Sequence, residues 1–396
     1  MSPEVPVVSV VVPTYQQSAY IEQCLEGILM QRTSFPVEIL VGDDESTDGT
    51  REICQRYAAQ YPDRIQLILG SRKDVILING KPSGRFNWMR LLRTARGKYI
   101  ALCEGDDYWI DPLKLQRQVD ILEGDPKASG TFHNAWVKHD ESRRDRFINH
   151  GIKKDRFTLE DVIASEWFIA TASILARAGS IRDALRGFDF AMTGDMILQL
   201  HIALAGDLVY YDQVCSVYRR HAGGLSDAYW ESGAARPDAA RIQFEQFRPN
   251  QVWLLWVFSE KLTAPAARAA IRKRISTMLR MSMQYKADAL LGSRLMHLSE
   301  LRSFMRECLG KARPADRSLD ELRPDGELSA LMDAASLDVW TGHALARGRM
   351  VKDTEGFRDL VKVCWDMYRK GLHSRKFLIQ LMTGASRSAL AGGKVG

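Results

Sequence analysis

Three carboxylates fall within four residues at Glu104-Gly105-Asp106-Asp107, directly after the apolar run Tyr99–Cys103. Like charges this close repel one another, so such a cluster calls for a counter-charge. One or two carboxylates, with phosphate oxygens completing the shell, are the usual way of holding Mg2+. Mn2+ accepts the same oxygens and also imidazole. A metal held there would neutralise a diphosphate leaving group. The same residues can also form a solvated acidic turn, or supply an aspartate cap for a helix starting near Pro112. A second acidic pair, Asp43-Asp44, follows the run Val37–Val41. A carboxylate there can accept a hydrogen bond from a nucleobase N–H. Tyr15, just past the run Val7–Val12, offers a ring to pack on that base. Asp48 reads instead as the N-cap of the helix that follows.

Two later segments carry further candidates. Thr193-Gly194-Asp195 stands just before the apolar stretch Met196–Ala205, where Asp195 either caps a helix or is available for chemistry. Asp189 lacks that helix-start placement. The segment Val217-Tyr218-Arg219-Arg220-His221-Ala222-Gly223-Gly224-Leu225-Ser226 sets a histidine beside two arginines and a Gly-Gly loop, a combination suited to phosphate. Trp109, Trp136 and Trp167 have rings that can stack on sugars, although buried aromatics are the commoner case.

The elements that must position these groups alternate strand and helix. Val7–Val12 is a β-branched run of the kind found in a parallel strand buried on both faces, and Pro13 is expected to stop it. Ser18 can cap a helix from Ala19 to about Met30, with Ile21, Cys24, Leu25 and Ile28 on one face. A strand over Val37–Val41, a helix from about Thr50 to Gln60 and a strand over Ile65–Leu69 follow. A helix from Phe86 to Arg93 then leads through Gly97 into a strand at Tyr99–Cys103. This alternation implies βαβ units and a largely parallel sheet. Such sheets bind ligands at the carboxyl ends of their strands. Pro13–Gln17, Asp43–Asp48 and Glu104–Asp107 all lie at such ends.

Val8–Tyr15 together with Asp43-Asp44-Glu45-Ser46-Thr47-Asp48-Gly49-Thr50 resembles the opening of glycosyltransferase family 2. Gly97-Lys98-Tyr99-Ile100 running into Glu104-Gly105-Asp106-Asp107-Tyr108-Trp109 resembles that family's DxD region, with Glu104 where the first Asp often stands. The resemblance covers about residues 7–228. It implies the GT-A fold, an α/β domain with a Rossmann-like, mostly parallel sheet, a nucleoside-diphosphate sugar donor and usually inversion. Carried over by position, Pro13, Tyr15 and Asp44 would contact the nucleoside, with Asp43 beside them and Arg85 and Asp106 near the nucleotide. Asp106 and Asp107 would bind or surround Mg2+ or Mn2+, and His221 would reach the metal or the diphosphate. Asp195 would be the base that removes the acceptor hydroxyl's proton. His133-Asn134 and Thr171-Ala172-Ser173 fall where relatives place sugar contacts, and buried hydrogen bonding explains them equally well.

The whole chain has 396 residues, 45% hydrophobic and 26% charged, ordinary for a globular protein of two or three domains. The formal net charge of +6 is spread along the chain rather than massed as in a nucleic-acid binder. It suits anionic substrates or an acidic membrane surface. Six cysteines form no CxxC pair, which points to buried core positions and a reducing compartment. No basic-then-apolar leader occurs at the start, and no stretch approaches the roughly 20 apolar residues of a span. The expectation is a cytoplasmic protein, at most peripheral to the membrane. Residues 1–228 are expected to form the catalytic domain and 229–396 an all-helical one. Arg313–Gly326 would be a linker, and helices are expected at Glu327–Arg347, Thr354–Lys370 and Ser374–Met382. That half would dock a partner, build a homo-oligomer, or lay Lys370, Arg375 and Lys376 on an anionic membrane. The acceptor would be a glycan, a lipid-linked glycan or a protein. A sugar nucleotidyltransferase would want a Gly-rich basic loop in place of Pro13–Gln17, and a degenerate scaffold would not keep Asp44, Asp106, Asp107 and Asp195.

Overall fold

The structure is a computed structural model that describes residues 5–78, 81–139, 146–149, 151–165, 168–185, 191–192, 194–221, 239–289, 296–314, 326–350 and 365. The chain divides into two units, Met1–Arg236 with Thr263–Ala270, and Pro237–Leu262 with Ile271–Gly396.

In the first unit, β1 (Val8–Thr14) is buried along its whole length. It pairs in parallel with β2 (Val37–Asp43) on one side and with the strand Tyr99–Leu102 on the other. β3 (Ile65–Leu69) extends the parallel array beyond β2. The small hairpin β4 (Ile76–Ile78) and β5 (Lys81–Ser83) stands apart as its own two-stranded sheet, and Tyr99–Leu102 is therefore β6. Pro13 does not stop β1: it pairs opposite Gly42, and Thr14 opposite Asp43. On the β6 side the pairing ends at Val11 opposite Leu102. Pro13 thus lies past the last β6 residue, where a missing N–H leaves no ladder bond unmade.

Helices cover the array as their apolar periodicity requires. α1 (Ile21–Leu29) buries Ile21, Cys24, Leu25 and Ile28, the face read from the sequence. Ser18 does not cap it. Tyr20 holds the cap position, and the Ser18 N–H donates to Asp48 Oδ2 at 3.0 Å. α2 (Thr50–Gln60) starts from Gly49, whose φ of 102° favours a residue without Cβ. Asp48 therefore stands one residue before the cap position, where its Oδ1 accepts from the Thr50 N–H at 3.1 Å and the Thr50 hydroxyl at 2.6 Å. Burial alone would raise the Asp48 carboxyl, but these bonds and those from Ser18 hold it down at about 2. α3 (Arg85–Thr94) leads to β6.

Beyond β6 the sheet turns mixed, where the sequence reading emphasised parallel strands. β7 (Tyr108–Trp109), α4 (Lys114–Gly124), β8 (Ala128–His139), β9 (Arg146–Phe147), β10 (Arg156–Phe157), α5 (Leu159–Ala164), β11 (Leu175–Arg177), α6 (Ala178–Ala184), α7 (Gly194–Ala205) and β12 (Asp207–Arg220) complete the unit. The sheet runs β10-β12-β8-β11-β6-β1-β2-β3, with β7 on β12 and β9 on β8. The short β11 joins β6 and β8 antiparallel to both, while β8 and β12 pair in parallel through several register shifts. Trp109 is buried with its indole N–H on the Ala172 carbonyl at 2.9 Å, a core residue rather than a sugar platform.

The second unit is helical over its described residues, with helices Arg248–Ser259, Leu298–Ala312 and Glu327–Met350 and, from Ile271, the greater part of the helix Pro265–Asp288. Trp253, Leu255, Leu279, Met305, Leu309 and Trp340 are buried in its core, and the Trp253 indole N–H donates to the Leu309 carbonyl at 2.8 Å. The helices expected at Thr354–Lys370 and Ser374–Met382 lie outside the described residues apart from Trp365, as does most of the expected linker. No described helix is long and apolar enough to cross a membrane. The five described cysteines are buried and free.

Candidate active site

The register of the parallel strands sets the site's edge. Thr14, Asp43 and Leu69 end β1, β2 and β3 side by side, so Tyr15, Asp44 and the segment after Gly70 leave the sheet along one edge. Gln16 and Glu45 then take left-handed conformations, with φ of 53° and 65°, which costs a residue with a Cβ. Their contacts hold them there. The Gln16 N–H donates to Ser46 Oγ at 3.0 Å, its Oε1 accepts from the Thr47 N–H at 2.7 Å, and Glu45 Oε2 accepts from the Arg72 N–H at 2.5 Å.

The carboxylates of this turn are paired with the chain's own cations. Asp43 is fully buried, with Arg51 Nε at 2.6 Å and the Ser46 N–H on its oxygens. Asp44 is buried and takes Arg72 at 2.8 Å. Burial raises the Asp44 carboxyl above its ordinary range, with the Arg72 hydrogen bond and charge opposing. The Arg72 guanidinium also lies 4.3 Å from the ring of Tyr15, which is 41% exposed. Arg72 was not singled out in the sequence. Its place just past β3, the third strand to reach this edge, is the signal that could have found it. Pro13 is buried, and its carbonyl accepts from the Gly105 N–H at 3.1 Å.

That bond docks the second acidic turn against β1. A Cβ on Gly105 would sit 2.8 Å from Thr14 Oγ1, so only glycine permits so close an approach. Asp106 Oδ2 lies 3.2 Å from His221 Nε2. Asp107 is buried; its Oδ1 accepts from the Arg219 N–H at 2.9 Å, and its Oδ2 has no hydrogen-bond partner among the described residues. Neither Asp106 nor Asp107 caps a helix. Asp111 does the local work before α4, its Oδ1 accepting from the Leu113 N–H at 2.8 Å.

Asp195 lies in the first turn of α7, with its Oδ1 on the Met196 N–H at 2.8 Å. Arg85 is buried at the start of α3 and donates to the Ala191 carbonyl at 2.9 Å, which ties α3 to the segment leading into α7. Glu104 brings these groups into one electrostatic neighbourhood. Desolvation pushes its carboxyl up to about 8, aided by the charges of Asp106 and Asp195 and opposed by Arg85. Burial likewise drives Asp107 well above the carboxylate range, with Asp106 and Glu104 adding to it. The carboxylates of Glu104, Asp106 and Asp107 form no salt bridge with a lysine or arginine among the described residues.

Other sequence candidates fall elsewhere. His133, Asn134, Thr171 and Ser173 are buried and hydrogen-bonded inside the fold, as in His133 Nδ1 to the Asn134 carbonyl at 2.8 Å and the Ser173 hydroxyl to Ala170 at 2.6 Å. Trp136 packs on Phe147 with ring centroids 3.9 Å apart. Trp167, Asp189, Thr193 and Ala222–Ser226 lie outside the described residues.

Residues 9–177 match the family described as Glycosyl transferase family 2. The chain is 33% identical over 293 residues to an uncharacterised protein of Mycobacterium tuberculosis, covering 69% of this chain and 81% of that one. It is 26% identical over 247 residues to the glycosyltransferase GlyG of Streptococcus pneumoniae, covering 58% of this chain and 76% of GlyG. Among solved structures, TarS 1-349 of S. aureus in complex with UDP-GlcNAc aligns over 93% of both chains at 17% identity, with a TM-score of 0.53.

Proposed function

Because this chain belongs to glycosyltransferase family 2, we propose that it uses a divalent metal to move a sugar, with inversion, from a UDP or dTDP donor to a hydroxyl acceptor. It is a nucleotide-sugar glycosyltransferase; the metal, the base of the donor and the roles of individual residues are the proposal. One observation carries it. Three carboxylates crowd the end of β6 without a lysine or arginine ion partner among the described residues, and Asp107 Oδ2 is buried without a hydrogen-bond partner.

This donor set, hard oxygens with one imidazole, fits Mg2+ or Mn2+. Among the described residues no three His, Cys, Asp or Glu side chains are arranged to hold an ion alone. Asp106 and His221 would therefore hold the ion, Asp107 would stand behind them, and diphosphate oxygens would complete the shell. Bound there, the ion would offset the negative charge of the departing diphosphate.

The protein's own groups do the rest. The Tyr15 ring takes the face of the base, with Pro13 buried behind it and Asp43 bracing the turn through Arg51. Asp44 accepts from the base N–H, and Arg72 supplies a donor beside it for a ring carbonyl, the pattern a uracil or thymine edge requires. Arg85 orders the chain that leads to Asp195. Asp195, at the start of α7, takes the proton of the acceptor hydroxyl as that oxygen attacks the anomeric carbon. The acceptor is a glycan, a lipid-linked glycan or a protein hydroxyl.

Calorimetry of UDP, dTDP and GDP, each with Mn2+ and with EDTA, tests this reading. Binding of UDP or dTDP should tighten with Mn2+. Equal affinity in EDTA would remove the metal, and a preference for GDP would overturn the base assignment.

A further inference from the structure

We propose that Arg219 is a positioning residue that fixes Asp106 against His221, an inference that rests on the metal reading of these two residues. From the sequence, Arg219 and Arg220 form a basic pair suited to phosphate. The fold instead turns the Arg219 guanidinium inward, where the residue is only 8% exposed. One of its nitrogens donates to the backbone carbonyl of Asp106 at 2.5 Å and another to Gln23 Oε1. The guanidinium carbon lies 4.3 Å from the Tyr108 ring and 5.1 Å from the Tyr20 ring. A cation removed from water is costly unless hydrogen bonds and aromatic faces replace its hydration, and here both do.

These contacts close a ring of interactions. The Arg219 N–H is held by Asp107 Oδ1 at 2.9 Å, which pins the end of β12 to the acidic turn. Two residues further on, the His221 ring packs on Tyr20 at 4.7 Å and sets Nε2 3.2 Å from Asp106 Oδ2. The guanidinium therefore grips the peptide from which the Asp106 side chain departs, while its own backbone carries His221. The two groups come from segments 115 residues apart, and the Arg219 side chain is a direct bond between those segments. It neutralises nothing by ion pairing, because it takes the Asp106 carbonyl and leaves the carboxylate facing His221. Lysine offers one ammonium rather than a planar fork and cannot span both acceptors in the same geometry.

The test is Mn2+ binding in the presence of UDP, read from the free-Mn2+ EPR signal of the full chain, for the parent, Arg219→Lys and Arg219→Gln. Outer groups that orient metal ligands are typically worth 10–100-fold in metal affinity. Arg219→Gln should weaken Mn2+ binding by about that factor and Arg219→Lys by less. UDP affinity in EDTA should stay within about twofold of the parent, a split that general loosening of the fold would not give. Parent-like Mn2+ binding in both folded variants would overturn the assignment. Should Arg219→Gln fail to fold, Gln23→Leu, at an exposed position on α1, should still weaken Mn2+ several-fold, and parent-like binding there would equally overturn it. A parent that binds UDP but no Mn2+ would instead bring down the metal reading itself.

Discussion

The turns after β2 and β6 lie on the same sheet edge and are both acidic, yet their charges are balanced differently. Asp43 and Asp44 each face an arginine of the same chain, Arg51 and Arg72, and the backbone around them is held in strained left-handed turns by side-chain bonds. Asp107 faces the Arg219 N–H, Asp106 faces His221, and Glu104 feels the charges of Asp106 and Asp195 with Arg85 opposing; burial drives Glu104 and Asp107 towards protonation. The first turn is complete before any ligand arrives. The second holds two carboxyls biased towards the neutral form, which an incoming cation would favour in their ionised form. On the proposed reading a nucleotide-sugar enzyme would use both: a rigid shelf for the nucleoside, and a carboxyl cluster for the cation that would meet the diphosphate.

The largest expected effect belongs to the β6 side. Asp195→Asn keeps an amide oxygen that can accept from the Met196 N–H as Asp195 does, so the melting temperature and donor binding should persist. Turnover at saturating donor should fall by a factor on the order of 10²–10⁴. Near-parental turnover would leave Asp195 as a structural residue of the first turn of α7 and move the base elsewhere.

Asp106→Ala should come next. It should weaken UDP binding in Mn2+ by about 10–100-fold and leave the EDTA affinity unchanged, so that the two curves coincide. Asp44→Asn, in the other turn, should weaken nucleotide by about the same order in both buffers, because a hydrogen bond to a charged group is worth about 1.5–3 kcal/mol. If Asp44→Asn abolished the metal response instead, the division of labour between the turns would be wrong.

Asp43→Ala separates the turns by stability. It strands the Arg51 guanidinium and the Ser46 N–H, and should cost about 1–3 kcal/mol in urea unfolding.

The smallest effect is a pH slope. Glu104 titrates near 8 in the folded chain and near 4.3 when unfolded, so between those values the folded state holds the extra proton. Stability of the metal-free protein should therefore be greatest below about pH 4.3 as far as this group is concerned. It should decline as pH rises towards 8. Glu104→Gln should flatten that decline, and Mn2+ with UDP should oppose it in the parent. A slope identical in parent and variant would show that Glu104 is not the group responsible.

Much of the first unit was legible because its signals are local. The runs that became β1, β2, β3 and β6 are largely apolar stretches, and α2 spans Thr50–Gln60 as its periodicity indicates. Pro13 misled because a proline ends a strand only where its N–H is needed, and whether β6 reaches that far is not a local fact. The mixed half of the sheet was missed for a similar reason. β8 carries Gly130, Thr131, His133 and Asn134, which do not read as a strand until β12 pairs along them and β11 along Gly130 and Thr131.

The amino-acid sequence by itself determined which groups could do chemistry at each strand end, because strand, turn and carboxylate follow one another within a few residues. It also determined that the second half is helical over its described residues. Only the tertiary structure decided which carboxylate met which partner. Arg72 reaches Asp44 because β3 ends level with β2, and Arg85 orders the approach to Asp195 because α3 packs beside a segment 106 residues later. His221 and Asp106 meet because β12 returns past β7. Electrostatic and hydrogen-bond energies depend on separation in space and on access to water. Both are set by the register and packing of elements that lie far apart along the chain.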